Sequence, residues 1–168
     1  MRRFLTILFA VMLYAGATNT AEAQRVNTRY QGEVYVAGGY GIGDAPINRL
    51  QLHTIQGARV GECFSAGIGL GADWYTQDFE SGLLMVPLFA DFKFYAPTNS
   101  SFDPFIMLDI GYSLQPESPD LGGMMVGTGI GFHAGCFALS VGYHLQQLGA
   151  YGVHIDLSSI QLKLGVAF

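Results

Sequence analysis

Nine side chains of this 168-residue chain are of types that could carry acid–base, ionic or metal chemistry from inside a fold. Glu33, Asp73, Asp91 and Asp109 are acids, Arg59, Lys93 and Lys163 are cations, and His133 and His144 can be neutral or charged. Each lies on the small and polar phase of an alternating stretch, so all nine should face one interior. Ionised groups in a narrow interior are costly unless paired. Their near-balance of sign therefore predicts a network of salt bridges that fills the interior. Within it, Glu33 is expected beside Arg59 on the next strand, and beside Lys163 on the strand that closes the sheet. The alternative chemistry for such a set is a proton or ion path.

Stricter chemistries fit the spacing less well. His133 and His144 belong to neighbouring strands but point to opposite ends, and His53 and His154 fall near loops, so no pair has metal-ligand spacing. Ser140 and His144 share one strand four residues apart, too far for the direct hydrogen bond a serine nucleophile needs. The run SAGIGLGADW at 65–74 contains the loose dinucleotide pattern G-x-G-x-x-A, which works only at a strand-to-helix turn. Asp73 to Asp78 has no helical period, and similar glycine alternations recur near Gly39 and Gly127. No catalytic residue, cofactor or metal is predicted.

The glycines belong instead to strands. In 64–75, Phe64, Ala66, Ile68, Leu70, Ala72 and Trp74 alternate with Ser65, Gly67, Gly69, Gly71, Asp73 and Tyr75, a period of two. The same alternation places Ile106, Leu108 and Ile110 opposite Met107, Asp109 and Gly111, and Leu139, Val141 and Tyr143 opposite Ser140, Gly142 and His144. Eight strands are predicted at 30–42, 50–60, 64–75, 83–95, 103–114, 123–134, 136–146 and 158–168. Short connections at 61–63, 96–102 and 135 alternate with longer ones at 43–49, 76–82, 115–122 and 147–157. Ile155 and Leu157 fall on the opposite phase from Ile160 and Leu162 on the last strand, which calls for a bulge near Ser158-Ser159 or a late strand start.

In a soluble barrel the large apolar phase would point inward. Here the other phase is too glycine-rich and narrow to meet water, so it is read as a lumen. The fold class is all-β: an eight-stranded antiparallel up-and-down transmembrane β-barrel, with short turns on the periplasmic side. Half of the residues are hydrophobic and 12% charged, with 23 glycines. Arg2-Arg3, the apolar stretch 4–15 and Ala21-Glu22-Ala23 have the plan of a signal peptide. Domains are therefore read as 1–23, cleaved, and 24–168, the barrel. Losing Arg2, Arg3 and Glu22 takes the net charge from −5 to −6, which excludes nucleic acid as a partner. Cys63 and Cys136 fall in turns four strands apart, beyond disulfide reach, and are predicted to be free thiols. Asp44, Asp78, Glu80, Glu117 and Asp120 would give the long loops an acidic rim, a weak candidate for divalent cations bridging to lipopolysaccharide.

Gly57-Ala58-Arg59-Val60 before Phe64 to Gly71, then Pro87-Leu88-Phe89-Ala90-Asp91-Phe92, Asp109-Ile110-Gly111-Tyr112 and Leu164-Gly165-Val166-Ala167-Phe168, resemble the small outer-membrane β-barrel domain family of Bacteroides-type bacteria, with an OmpA/OmpX-like barrel. The likeness covers 24–168 and is architectural, since the family shares no catalytic residues. It implies the outer membrane of a Gram-negative cell. Partners would be outer-membrane lipid and lipopolysaccharide, with the barrel-assembly machinery and periplasmic chaperones during biogenesis. Leu162, Leu164, Val166 and Phe168 would be the C-terminal assembly signal. The expected role is structural or interaction-based; a narrow channel comes next, and a lipid-modifying enzyme third.

Overall fold

The computed structural model describes residues 27–43, 46–76, 82–96, 98, 101–118, 121–150 and 153–168. The expected signal peptide at 1–23, and Asp44, Asp78, Glu80 and Asp120 of the acidic rim, lie outside them. Eight strands follow one another: β1 (Thr28–Ile42), β2 (Arg49–Val60), β3 (Phe64–Tyr75), β4 (Leu83–Tyr95), β5 (Phe102–Leu114), β6 (Gly122–Ala134), β7 (Phe137–Ala150) and β8 (Val153–Ala167). Each pairs antiparallel with the next, and β8 pairs with β1 to close the barrel. Closure is fastened by a reciprocal pair of backbone bonds, 2.8 Å each way, between Gly32 and Phe168.

The alternation read from the sequence decides which phase is inside. Along β8, Leu157, Ser159, Gln161, Lys163 and Gly165 are buried, whereas Ile160, Leu162, Leu164 and Val166 are exposed. The same inversion holds round the wall: large apolar side chains cover the outside, and the lumen takes the charged, polar and small residues together with a few large ones such as Phe89, Phe105 and Met125. Glycine provides room at closest approach, since a Cβ on Gly69 would stand 2.2 Å from the Phe89 ring. In the β6–β7 turn, Gly135 takes φ of 62°, a conformation that favours glycine.

Two boundaries differ from expectation. Residues 147–157 are not a loop: β7 runs to Ala150, β8 starts at Val153, and their pairing continues unbroken from Phe137↔Val166 to Ala150↔Val153. No bulge occurs, because Leu157 keeps the inward phase of Ser159 and Gln161. It is apolar because it enters an apolar cluster at the loop end of the lumen. Apolar side chains also enter the lumen lower down, where Tyr35, Ile55, Phe89 and Met125 form one buried cluster and Tyr95, Phe105 and Met107 another.

The register also fixes the stagger. Stepping from Glu33 through Ile55, Gly69, Phe89, Gly111, Met125 and Gln146 to Leu157 carries the path to position 43, just past the end of β1 and ten residues beyond its start. For eight strands that stagger corresponds to a tilt of about 40°.

Candidate functional site

The inward residues of each strand build the lumen in layers. At the turn end, Arg59 Nη1 donates to Asp103 Oδ2 at 3.1 Å and Nη2 to the Glu62 carbonyl at 2.6 Å, while its guanidinium lies 3.9 Å from the Tyr95 ring centroid. Above it, Lys93 Nζ stands 2.9 Å from Glu33 Oε2 and 2.7 Å from Asp91 Oδ1. Glu33 also accepts from Gln31 and from the Tyr35 hydroxyl, and His133 Nε2 approaches it to 3.7 Å. Asp91 faces Asp109 across β4 and β5, and Asp109 is held by Lys163 at 2.6 Å. Toward the loop end, His53 Nε2 meets Asp73 Oδ1 at 2.6 Å, Arg49 donates to Ser159 at 2.6 Å, and Ser113 donates to Gln146 at 2.9 Å. Tyr75, Leu83, Met85, Leu148 and Leu157 then close this end, with Ile47 and Leu121 packed against them.

All nine predicted residues point into the lumen and are at most 6% exposed. Their expected pairing is corrected. Glu33 meets neither Arg59 nor Lys163; it lies opposite Ile55 on β2 and Ala167 on β8. Strand tilt lowers Arg59 to the turn-end layer and raises Lys163 to the layer of Asp109, so each takes a different acid. His53 is also misplaced by the sequence reading: it sits within β2, 3% exposed, and not near a loop. The predicted network omitted Arg49, Gln51, His53, Gln146 and Gln161, all of them buried in the lumen. The first three share the odd-numbered phase of β2 with Arg59, a signal that was there to find. His144 is buried between Gly127 and Ser159, and neither ring nitrogen has a hydrogen-bond partner among the described residues. A small cavity beside Glu33, Ser65 and Asp91 measures about 10 Å³, close to the space one water needs.

The outer wall is organised with equal regularity. Tyr30 and Tyr40 on β1, Phe64 and Trp74 on β3, and Phe102 and Tyr112 on β5 all face outward, each pair ten residues apart. Phe94, Phe137 and Phe168 join the turn-end ring, and Tyr143 joins the loop-end ring. Between the rings the exposed residues are chiefly aliphatic, among them Val36, Leu52, Ile68, Leu88, Ile106, Ile130 and Leu164. Ten residues at about 3.3 Å each, tilted about 40°, span roughly 25 Å, the height of an outer-membrane barrel's apolar band. Cys63 and Cys136, in the β2–β3 and β6–β7 turns, are exposed and unbridged. No helix among the described residues is long and apolar enough to cross a membrane.

Solved structures share this architecture. The crystal structure of Neisserial surface protein A matches with a TM-score of 0.65 at 12% identity, covering 84% of this chain and 97% of that one. The outer membrane enzyme PagL matches at 0.60 and 13% identity, over 80% of this chain and 98% of its own. The N-terminal β-barrel domain of Pseudomonas aeruginosa OprF matches at 0.52 and 14% identity, over 84% and 100%. No family model matches the sequence, and no curated protein matches it. At such identities the likeness is one of fold: this chain is built as a closed, eight-stranded antiparallel β-barrel of the outer-membrane type.

Proposed function

We propose that the protein is an exported outer-membrane barrel with a sealed lumen, and that it acts through its membrane-embedded wall and its two rims. The observation that carries this is the filling of the interior. Ion-paired polar side chains, two buried clusters of apolar and aromatic side chains and an apolar cap at the loop end occupy it. A conducting path needs a continuous wet column, and the pairing of Lys93, Asp91, Lys163 and Asp109 occupies that column. The two aromatic rings support a membrane setting, with the short turns facing the periplasm.

Within this reading, outer-membrane lipid and lipopolysaccharide surround the wall. Leu162, Leu164, Val166 and Phe168, all outward and 45–64% exposed, form the face offered to the assembly machinery and to periplasmic chaperones. A Bacteroides-type origin belongs to the same reading. PagL shares the fold; three of the four histidines here, His53, His133 and His144, face the lumen rather than lipid, and on that observation we read the chain as non-enzymatic.

The test is conductance of the refolded protein in planar bilayers, beside Glu33→Ala and Arg59→Ala. A silent wild type is expected. Steady conductance that changes with either substitution would replace the sealed barrel by a narrow channel.

A further inference from the structure

The two ends of the lumen are built differently. The loop end is closed by apolar side chains, whereas the turn end opens into a polar vestibule. Two pockets, of about 340 and 360 Å³, have Arg29, Arg59 and Asp103 in common as wall residues. From this geometry we infer that the vestibule is a binding site for an oxyanion, a carboxylate or phosphate group borne on a ligand that enters from the turn side.

Arg29 on β1 is the register partner of Arg59 on β2, in the same inward phase. Like charges directly opposite one another destabilise a sheet unless something lies between them. Asp103 is committed to Arg59, and no described ion pair involves the exposed Arg29. Arg29 thus makes no ion pair among the described residues, although Glu62 shares the wall of one pocket with it.

The two arginines differ in how they are held. Arg59 is only 4% exposed and its Nη1 and Nη2 are already bonded to Asp103 and to the Glu62 carbonyl, so it supplies fixed positive charge, and the free fork in both pockets is that of the exposed Arg29. Guanidinium forks suit carboxylate and phosphate groups, which accept two parallel N–H bonds. Each pocket is many times the roughly 30 Å³ share of a water, so the anionic group can arrive attached to a chain. Glu62, in the wall of the first pocket, is the acid that competes for Arg29. The inference goes beyond the sealed-barrel reading and does not depend on it; in the orientation proposed above, the vestibule faces the periplasm.

The experiment is a titration of the ¹⁵N-labelled refolded protein in an uncharged maltoside detergent. The probes are inorganic phosphate, acetyl-alanyl-alanine and acetyl-alanyl-alanine amide, followed at the Gly61 amide and the arginine Nε–H resonances. Saturable shifts with phosphate, the peptide acid or both are expected, and none with the amide. A response to phosphate alone assigns the site to phosphate groups, and a response to the acid alone assigns it to chain termini. Arg29→Gln should weaken binding about tenfold or more, Arg29→Lys should retain part of it, and Glu62→Gln should strengthen it. Conductance plays no part in this readout, so a silent or a leaky barrel leaves it intact. The site is overturned if neither anion gives a saturable shift, if the amide binds as well as the acid, or if folded Arg29→Gln binds like the wild type.

Discussion

Lys93 on β4 reaches across the lumen to Glu33 on β1, Nζ to Oε2 2.9 Å, with both side chains at most 2% exposed. The same ammonium holds Asp91, so one cation bridges acids from two strands that are not neighbours in the sheet. Removing it leaves two buried carboxylates facing each other. Lys93→Met should therefore destabilise the barrel by about 3–5 kcal/mol, the range for breaking a buried pair from one side. Urea-dependent unfolding in lipid vesicles reads this out. Adding Glu33→Gln to Lys93→Met should recover part of the loss, and a double variant less stable than the single would contradict the pairing.

Gly69 and Phe89 are register partners, and the ring occupies the place where a side chain at position 69 would stand. Gly69→Val should cost about 1–3 kcal/mol through overpacking. Phe89→Ala costs stability by itself, but in combination the two losses should be less than additive. Strict additivity in the same unfolding assay would mean that the contact does not limit the site.

The aromatic rings define depth. Leu164 lies between them, whereas Ile160, paired with Tyr40 and Tyr143, lies at the loop-end ring. Leu164→Arg should cost about 2–4 kcal/mol and Ile160→Arg about 0–1 kcal/mol, the depth dependence of a charge on a lipid-facing wall. Equilibrium folding into vesicles measures both. Equal penalties would mean that the rings do not mark the edges of the apolar band.

Cys63 and Cys136 sit in different turns, exposed and apart. The folded protein should take up two equivalents of maleimide without prior reduction, seen as two mass additions. An unreactive monomer that becomes reactive only after reduction would show an internal disulfide and demand a different arrangement of the turn end.

Strand identity and facing were legible because a period of two is local: Ile68 and Gly69 reveal their sides from their immediate neighbours. Partnership inside the lumen was not. Glu33 looks adjacent to Arg59 and Lys163 when strands are drawn upright, but a ten-residue stagger separates them by a layer each way. That stagger is a property of the closed sheet, and no short window of sequence contains it. The misreading of 147–157 has another cause. Gln147, Asp156 and their neighbours leave the apolar band, so the strands continue in water with the mixed chemistry that elsewhere marks a loop. Arg49, at the first residue of β2, was passed over because it resembles the end of a connection, although its guanidinium bonds Ser159 within the barrel.

The bonds between β1 and β8 join residues 33–42 to residues 158–167, more than a hundred positions apart. In a chain delivered from its N-terminal side, β1 arrives first among the strands, yet one flank of it has no partner until β8 has followed. Over that interval the flank is an open row of hydrogen-bonding groups, competent to accept any extended segment. Seam formation is the most non-local event in the fold, and the entropy of closing so long a loop is recovered only at the end. The barrel's vulnerability to mispairing is thus concentrated at one seam and one moment.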